Sequence, residues 1–296
     1  MVDFIQNNKD RYGVEAICRI LPIAASTYYR ALDLVDNPEH RAKRALHDLH
    51  HAEQIKRIWK ESLGRYGVRK VWQQLKREGY VIARCTVARL MQKLGIQGVW
   101  RGKNKQTTRS RDDQKRADDL VKRNFNADHP DQLWVADFTY IQTHSGWVYT
   151  AFIIDVFSRA IVGWKVSTRM NTDMVLDALE QALHDRGMPK NVIHHSDRGV
   201  QYLSIRYTNR LEAANLRASV GTTGDSYDNA LAETVNGLYK TEVIEYLKAD
   251  WQGLADVQLA TLNWVDWFNK KRVHSALGYV SPFEFEAMYY DKINPL

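Results

Sequence analysis

Between Gly67 and Ile96 the apolar residues fall at helical intervals. Val68, Val71, Trp72 and Leu75 recur at i, i+3, i+4 and i+7, and Val87, Leu90, Met91 and Leu94 repeat the spacing. Each set draws one apolar stripe along a helix. Gly79 and Gly95 stand where two such helices end, leaving the short connector GYVIA between them. Two short helices with a tight joint predict a helix-turn-helix, preceded by a further helix in HAEQIKRIWKES. The second helix presents Arg84, Thr86, Arg89, Gln92 and Lys93 on its polar side, and the first carries Arg69 and Lys70. Such side chains bond phosphates and base edges; a helical hairpin with an ordinary basic face is the competing interpretation. Upstream, VEAICRILPIAASTYYRAL predicts another small helical unit, with Ser26-Thr27 placed to cap its second helix.

The period changes near residue 126. DQLWVADFTYIQT is dense in β-branched and aromatic residues, HSG makes a turn, and WVYTAFIIDVFS and AIVGWKVS follow, so three strands form an antiparallel meander. TDMVLDALEQALHDRG reads as a helix buried through Met174, Leu176–Ala178, Leu179, Ala182 and Leu183. A strand (NVIHH), a helix (SIRYTNRLEAANL), a strand (RASVGT) and a last helix follow. The order βββαβαβα predicts an α/β (α+β) fold, a mixed five-stranded sheet covered by helices. Between the halves, RGKNKQTTRSRDDQKR has no apolar periodicity and reads as a basic linker. The expected units are a helical segment at 1–45, a helix-turn-helix domain at 46–100, the linker at 101–125, the sheet domain at 126–250 and a helical extension at 251–296.

Charge sharpens this division. Residues 1–125 hold 27 Lys and Arg against 14 Asp and Glu, a net +13, whereas residues 126–296 hold 15 against 21, a net −6. A basic front half on an acidic back half points to a polyanion-binding module, nucleic acid first, joined to a domain of another kind. No apolar run approaches a membrane span and the N-terminus is unlike a signal peptide, so an intracellular protein is expected. The two cysteines, Cys18 and Cys85, stand apart, which argues against a disulfide framework and a cysteine-based zinc site.

Three carboxylates carry the candidate chemistry. Asp137 lies inside the apolar strand WVADF, where an aspartate must be paired, hydrogen-bonded or metal-bound. Asp197 ends the strand before Arg198-Gly199, where an Asx-turn would also explain it. Glu233 sits one turn into a helix that Asp228 or Asn229 can cap, where a glutamate also complements the helix dipole. Asn229, Glu233, Asn236 and Lys240 share one helical face. Any one of these has an ordinary structural explanation. Together, a central-strand Asp, a neighbouring strand-end Asp and a helical Glu can meet at one edge of the sheet. Hard oxygen ligands of this kind suit two Mg²⁺ or Mn²⁺ ions, about 3.5–4 Å apart, that clamp the oxygens of a phosphodiester displacement.

The motifs WVADFTYI, HSDRGVQY and YDNALAETVNGLYKTE, with 35 residues between Asp197 and Glu233, and the closing KRVHSALGYVSPFEF carry a resemblance. The chain resembles a DDE transposase of the insertion-sequence "IS-three" family in its second-reading-frame (OrfB) form and is similar, more distantly, to retroviral integrases. The resemblance implies an RNase H-like catalytic core with Asp137, Asp197 and Glu233 as the catalytic, metal-holding triad, and metal-dependent cleavage and strand transfer at insertion-sequence ends. It implies Lys240 near the DNA end; on the residues themselves, Asn229 and Asn236 of the same helical face, and Arg69, Lys70, Arg84, Arg89 and Lys93 of the helix-turn-helix, are expected as further DNA contacts. The implied partners are terminal-repeat and target DNA, at least a second copy of the chain, and the product of an upstream (OrfA-type) reading frame; the implied place is the bacterial cytoplasm, at the nucleoid. The His/Cys zinc module at the N-terminus of retroviral integrases has no counterpart here. An RNase H-type nuclease, a DNA-binding regulator with an inactive core and a tyrosine recombinase are the competing functions.

Overall fold

The computed structural model describes residues 1–100, 121, 125–197, 199–220, 230–247 and 250–294. The expected linker, except Val121 and Phe125, therefore lies outside the described residues, as do Arg198, Asp228 and Asn229. Helices α1 (Val2–Tyr12), α2 (Val14–Ile20) and α3 (Ala25–Asp36) close on a small core of Ile5, Ile17 and Tyr28. The cap expected from Ser26-Thr27 does not form. Tyr28 must turn inward to fill that core, so the helix starts earlier, on the carbonyl of Ala24, with both residues inside its first turn.

Helices α4 (Lys43–Glu61), α5 (Val68–Arg77) and α6 (Arg84–Lys93) form the predicted helix-turn-helix around Ile55, Ile58, Val71, Leu75, Val87, Leu90 and Met91. Gly79 and Gly95 follow the two helix ends at φ +86° and +65°, the left-handed conformation that lets the chain leave a helix. The Trp72 indole donates to the Ile82 carbonyl at 2.8 Å and pins the connector. Leu94 departs from the predicted stripe, because α6 ends at Lys93 and leaves it exposed.

Strands β1 (Leu133–Thr143), β2 (Gly146–Asp155) and β3 (Ile161–Ser167) make the antiparallel meander. Helix α7 (Thr172–Asp185), β4 (Ile193–Ser196), α8 (Ile205–Ala213) and β5 (Arg217–Val220) follow. Strands β4 and β5 run parallel to β1, giving the order β3-β2-β1-β4-β5. This is the RNase H-like arrangement that the resemblance implies. Alternation along β1 feeds two cores. Trp134 and Ala136 pack beneath α7 and α8, while Leu133, Val135 and Ile141 face α9 (Ala230–Tyr239) and α10 (Leu254–Lys270). Helix α7 turns Val175 inward and leaves Leu176 only half-buried, a small shift of the predicted stripe.

The second core is continuous with that of the helix-turn-helix. The Tyr66 hydroxyl donates to the Lys271 carbonyl at 3.1 Å and accepts from the Val273 amide at 2.8 Å, and the Arg65 guanidinium donates to the Glu242 carbonyl at 3.1 Å. Helix α11 (Pro282–Ile293) opens with a capping box between Ser281 and Glu284 and receives Arg77 through the same Glu284. Helix α10 is stitched to edge strand β3 by Asn269, whose amide accepts from the Ile161 N–H and donates to its carbonyl. Residues after 250 are thus part of the sheet domain's packing as well as the seat of the front unit. Among the described residues no helix is long and apolar enough to cross a membrane.

At Gly163 the sheet meets α7 without a spacer. A Cβ there would lie 2.2 Å from the Ala178 carbonyl oxygen, a backbone atom that cannot step aside. Gly163→Ala is expected to destabilise the protein by about 1–3 kcal/mol, read as a lowered midpoint in thermal or urea denaturation.

Candidate active site

Strand β1 is central, so its middle is walled by neighbours on both sides. The parallel ladder with β4 ends at the pair Ala136 and Ser196. Asp137 and Asp197, each one residue further on, are thereby set side by side where β4 stops. The Asp137 carboxylate accepts from the Phe138 amide at 2.8 Å and from the Asn236 side-chain amide, on α9, at 2.8 Å. Asp197 accepts from the Gly199 amide at 3.0 Å, the Asx-turn considered from the sequence. That turn does not compete with a role at the site; it aims the carboxylate.

Burial raises the pKa of Asp137 well above the ordinary aspartate range, and the Asp197 charge raises it further; the Glu233 charge adds a smaller push, against the two hydrogen bonds. Burial likewise raises Asp197, while the Gly199 amide and His195 pull it back. Such repulsion marks a site built for a counter-cation. Glu233 lies in the first turn of α9, exposed, three residues before Asn236 and on the same face. It is close enough to act on Asp137 but does not close a cluster with the two aspartates: among the described residues no three His, Cys, Asp or Glu side chains are grouped to hold a metal ion. The donor set nonetheless fits a hard divalent cation. Two half-buried carboxylates side by side favour positive charge between them, and among the described residues the buried Asn236 Oδ1 has no hydrogen-bond partner.

The other expected site residues divide. Arg84, Arg89 and Lys93 lie on the exposed face of α6, with Arg89 engaged by Asp48 at 2.7 and 2.9 Å. Arg69 is exposed, its guanidinium 5.7 Å from the Tyr279 ring centre. Lys240 stands 4.7 Å over the Tyr140 ring. Two of the expected DNA contacts are also engaged within the protein. Asn236 is buried and gives its amide to Asp137, so it orients a carboxylate. Lys70 turns toward the joint with the C-terminal segment, 5.1 Å from the Tyr66 ring; burial, then Arg272, lowers its pKa to about 7. Asn229 lies outside the described residues.

Sequence reasoning passed over Tyr202. Its hydroxyl is buried without a hydrogen-bond partner, its ring packs on Phe138, and the charges of Asp137 and Asp197 add to the effect of burial on it. The signal was its place in HSDRGVQY, five residues after Asp197. His195 is a packing residue, buried and sharing a 2.9 Å hydrogen bond with Ser219.

A mixed RNase H-like sheet with paired carboxylates at its central strands, behind a helix-turn-helix, defines the class of integrase-type recombinases. The chain matches the integrase core domain family over residues 127–226 and again over 214–282, and an HTH-like domain over 47–104. It is 52% identical over 293 residues to a transposase for insertion sequence element IS629 from Shigella sonnei, covering 99% of this chain and 98% of that one. It is 31% identical over 285 residues to transposase InsF for insertion sequence IS3A from Escherichia coli, covering 96% and 97%. Among solved structures it is similar to the catalytic core domain of the HTLV-2 integrase in complex with magnesium, with 18% identity, a TM-score of 0.44, and coverage of 54% of this chain and 99% of that one. The chain belongs to the insertion-sequence transposases with an integrase core domain.

The repulsion at Asp137 has a measurable consequence without metal. Because its folded-state pKa is raised, the stability it contributes is complete below its ordinary value of 3.8 and is lost as pH rises through the folded-state value. In EDTA at neutral pH, Asp137→Asn is expected to melt a few degrees above wild type, at about 2–4 °C per kcal/mol. The gap should close near pH 4 and narrow on adding Mg²⁺. Equal midpoints across this range would contradict the electrostatic account.

Proposed function

We propose that the protein is a metal-dependent DNA transposase that cleaves at the ends of its insertion sequence and joins the freed 3′-OH to target DNA. The observation carrying this reading is the pairing of Asp137 with Asp197 by strand register, beside a helix that brings Asn236 onto Asp137 and Glu233 near enough for its charge to act on Asp137. Asp137, Asp197 and Glu233 would hold two Mg²⁺ or Mn²⁺ ions, which supply charge neutralisation and activation of the attacking oxygen.

The chain's own groups position and orient. The Phe138 amide and the Asn236 side chain fix the Asp137 carboxylate; the Gly199 amide fixes that of Asp197. Glu233, in the first turn of α9, would complete the set around the cations. No protein nucleophile takes part, since water and then a DNA 3′-OH attack in turn, and positioning with charge stabilisation supplies most of phosphoryl-transfer catalysis. Lys240 holds a backbone phosphate near the cleaved bond. The α6 face, through Arg84, Arg89 and Lys93, and Arg69 beside it, grips the terminal repeat. Joining two ends calls for at least two copies of the chain, and the upstream reading frame's product joins them as a partner or fusion, at the nucleoid of the cytoplasm.

The decisive assay uses purified protein, labelled terminal-repeat DNA and Mg²⁺. Wild type is expected to cleave and join strands; Glu233→Gln should lose at least a hundredfold in rate while binding the DNA as before, on the scale of losing a major transition-state stabiliser. A covalent protein–DNA adduct would replace this reading with a tyrosine recombinase. Tight metal-independent binding without cleavage by wild type would replace it with a regulator.

The helix-turn-helix role is checked separately. The double substitution Arg84→Gln, Lys93→Gln should weaken end binding and lower the slope of log affinity against log salt by about 2, one for each lost phosphate contact. An unchanged slope would remove α6 from the interface.

A further inference from the structure

The ladder between β1 and β4 stops at Ala136, but β1 continues to Thr143. From Asp137 onward β1 is paired only with β2, and β2 leaves β3 after the pair Tyr149 and Ser167, so the hairpin ends as a two-stranded ribbon with Tyr140 at its base and Trp147 near its tip. Tyr140 and Trp147 lie on the ribbon with 42% and 49% of their surfaces exposed, their rings 5.4 Å apart and nearly perpendicular. Large aromatic side chains left in water at such a place need a reason.

Their surroundings supply one. The ribbon's tip is held by the segment before α10: the His144 amide donates to the Trp251 carbonyl at 2.9 Å, and the Ser145 amide and hydroxyl both donate to the Gln252 carbonyl, at 3.1 and 2.6 Å. The rings therefore stand on a fixed support. The Lys240 ammonium lies over the Tyr140 ring. Lys240 is one helical turn past Asn236, which touches Asp137, a rise of about 6 Å. Tyr140, three residues past Asp137, leaves the opposite face of the strand, so its link to the carboxylates runs through Lys240, which reaches the ring from α9. An aromatic pair joined to a cation one helical turn from the residue that holds Asp137 has the chemistry of a nucleotide: rings for a base, an ammonium for its phosphate.

We infer that Tyr140 and Trp147 form a stacking platform for an unpaired nucleobase of the DNA end, with Lys240 on the adjoining phosphate. The inference rests on the transposase reading above and adds that the terminal bases are splayed from the duplex when bound. The platform is indifferent to sequence, because every base offers a π-face; it fixes where the strand parts. It also gives Lys240 its position, since loss of the Tyr140 ring frees the ammonium.

The test uses the full chain and terminal-repeat DNA carrying 2-aminopurine at each of the last four positions in turn. Wild type should quench the probe at one or two positions, by stacking. Trp147→Ala and Tyr140→Ala should lose that quenching and weaken binding of frayed ends about 5- to 100-fold, the range for loss of one stacked base. Tyr140→Phe, which keeps the ring, should retain quenching. Affinity for a duplex of the internal repeat alone, held by the helix-turn-helix, should be unchanged in all three, which also reports that they fold. Quenching that persists in the Ala variants, or is absent at every position while wild type still cleaves, would overturn the platform and leave the transposase reading intact. Quenching without any Mg²⁺-dependent cleavage would do the reverse. If the Ala variants abolish self-association of DNA-free protein, the ribbon is an interface between copies and the inference falls.

Discussion

The parallel pairing of β1 with β4 is the constraint on which the site depends. Two aspartates 60 positions apart in the chain become neighbours because Ala136 and Ser196 are the last partners in that ladder. A slip of one residue would turn every β1 side chain to the opposite face. Trp134 and Ala136 would leave the α7 core, and Asp137 would be driven into it. The apolar side chains that forbid the slip thus place the charges, although none of them does chemistry. The arrangement is costly by itself: burial, then the Asp197 charge, disfavours the charged form of Asp137, and two hydrogen bonds offset this only in part, while burial does the same to Asp197. Such a cost is what a counter-cation would relieve.

A second constraint joins the two halves. Glu242 and Arg272 form a buried ion pair with contacts at 2.6 and 3.1 Å, and the Trp264 indole donates to the same carboxylate. Burial alone would raise the Glu242 pKa; the Arg272 guanidinium, then Lys70, holds it below the ordinary range instead. Removing one partner from such a pair costs several kcal/mol, because the other is left charged and dry. The Glu242 carbonyl accepts from Arg65 of the front unit as well. The basic half is therefore seated on the acidic half through a small cluster in which Arg272 pairs with the Glu242 carboxylate, Arg65 bonds the Glu242 main chain and the pKa of Lys70 is lowered to about 7 by burial and by Arg272.

What could be read in advance follows from where the information is local. The helical stripes at Val68–Leu75 and Val87–Met91, the glycines that end those helices and the order of strands depend on spacing within a few residues. The triad could be named because three motifs stand at the spacing of a known family, and the pairing of Asp137 with Asp197 follows from strand order. What spacing left hidden was tertiary. Lys70 looks like its solvated neighbours Arg69 and Lys76, and only the docking of Tyr66 against residues 271–273 turns it inward. Asn236 shares a helical face with Glu233 and Lys240, but periodicity cannot tell which part of that face meets the sheet. Ser26-Thr27 is a good cap in isolation, overruled by the need to bury Tyr28. Tyr140 and Trp147 gave no signal at all, since an exposed aromatic on a strand looks like a buried one until the neighbouring strand is seen to end.

One rod connects these parts. Helix α9 passes without a break into a π-helical turn, Lys240–Glu245, of the kind that recurs at functional sites. Along it, Glu233 overlooks the aspartates, Asn236 bonds one of them, Lys240 meets the ribbon and Glu242 anchors the front unit. The wider turn explains how Thr241, Glu242 and Val243 are all buried in succession, where an ordinary helix would carry one of them to the surface. It sets Glu242 in the joint while Lys240, two residues earlier, keeps its place on the ribbon. One continuous helical element therefore carries the residue that seats the front unit, Glu242, and the residue that holds Asp137, Asn236, with Glu233 in its first turn.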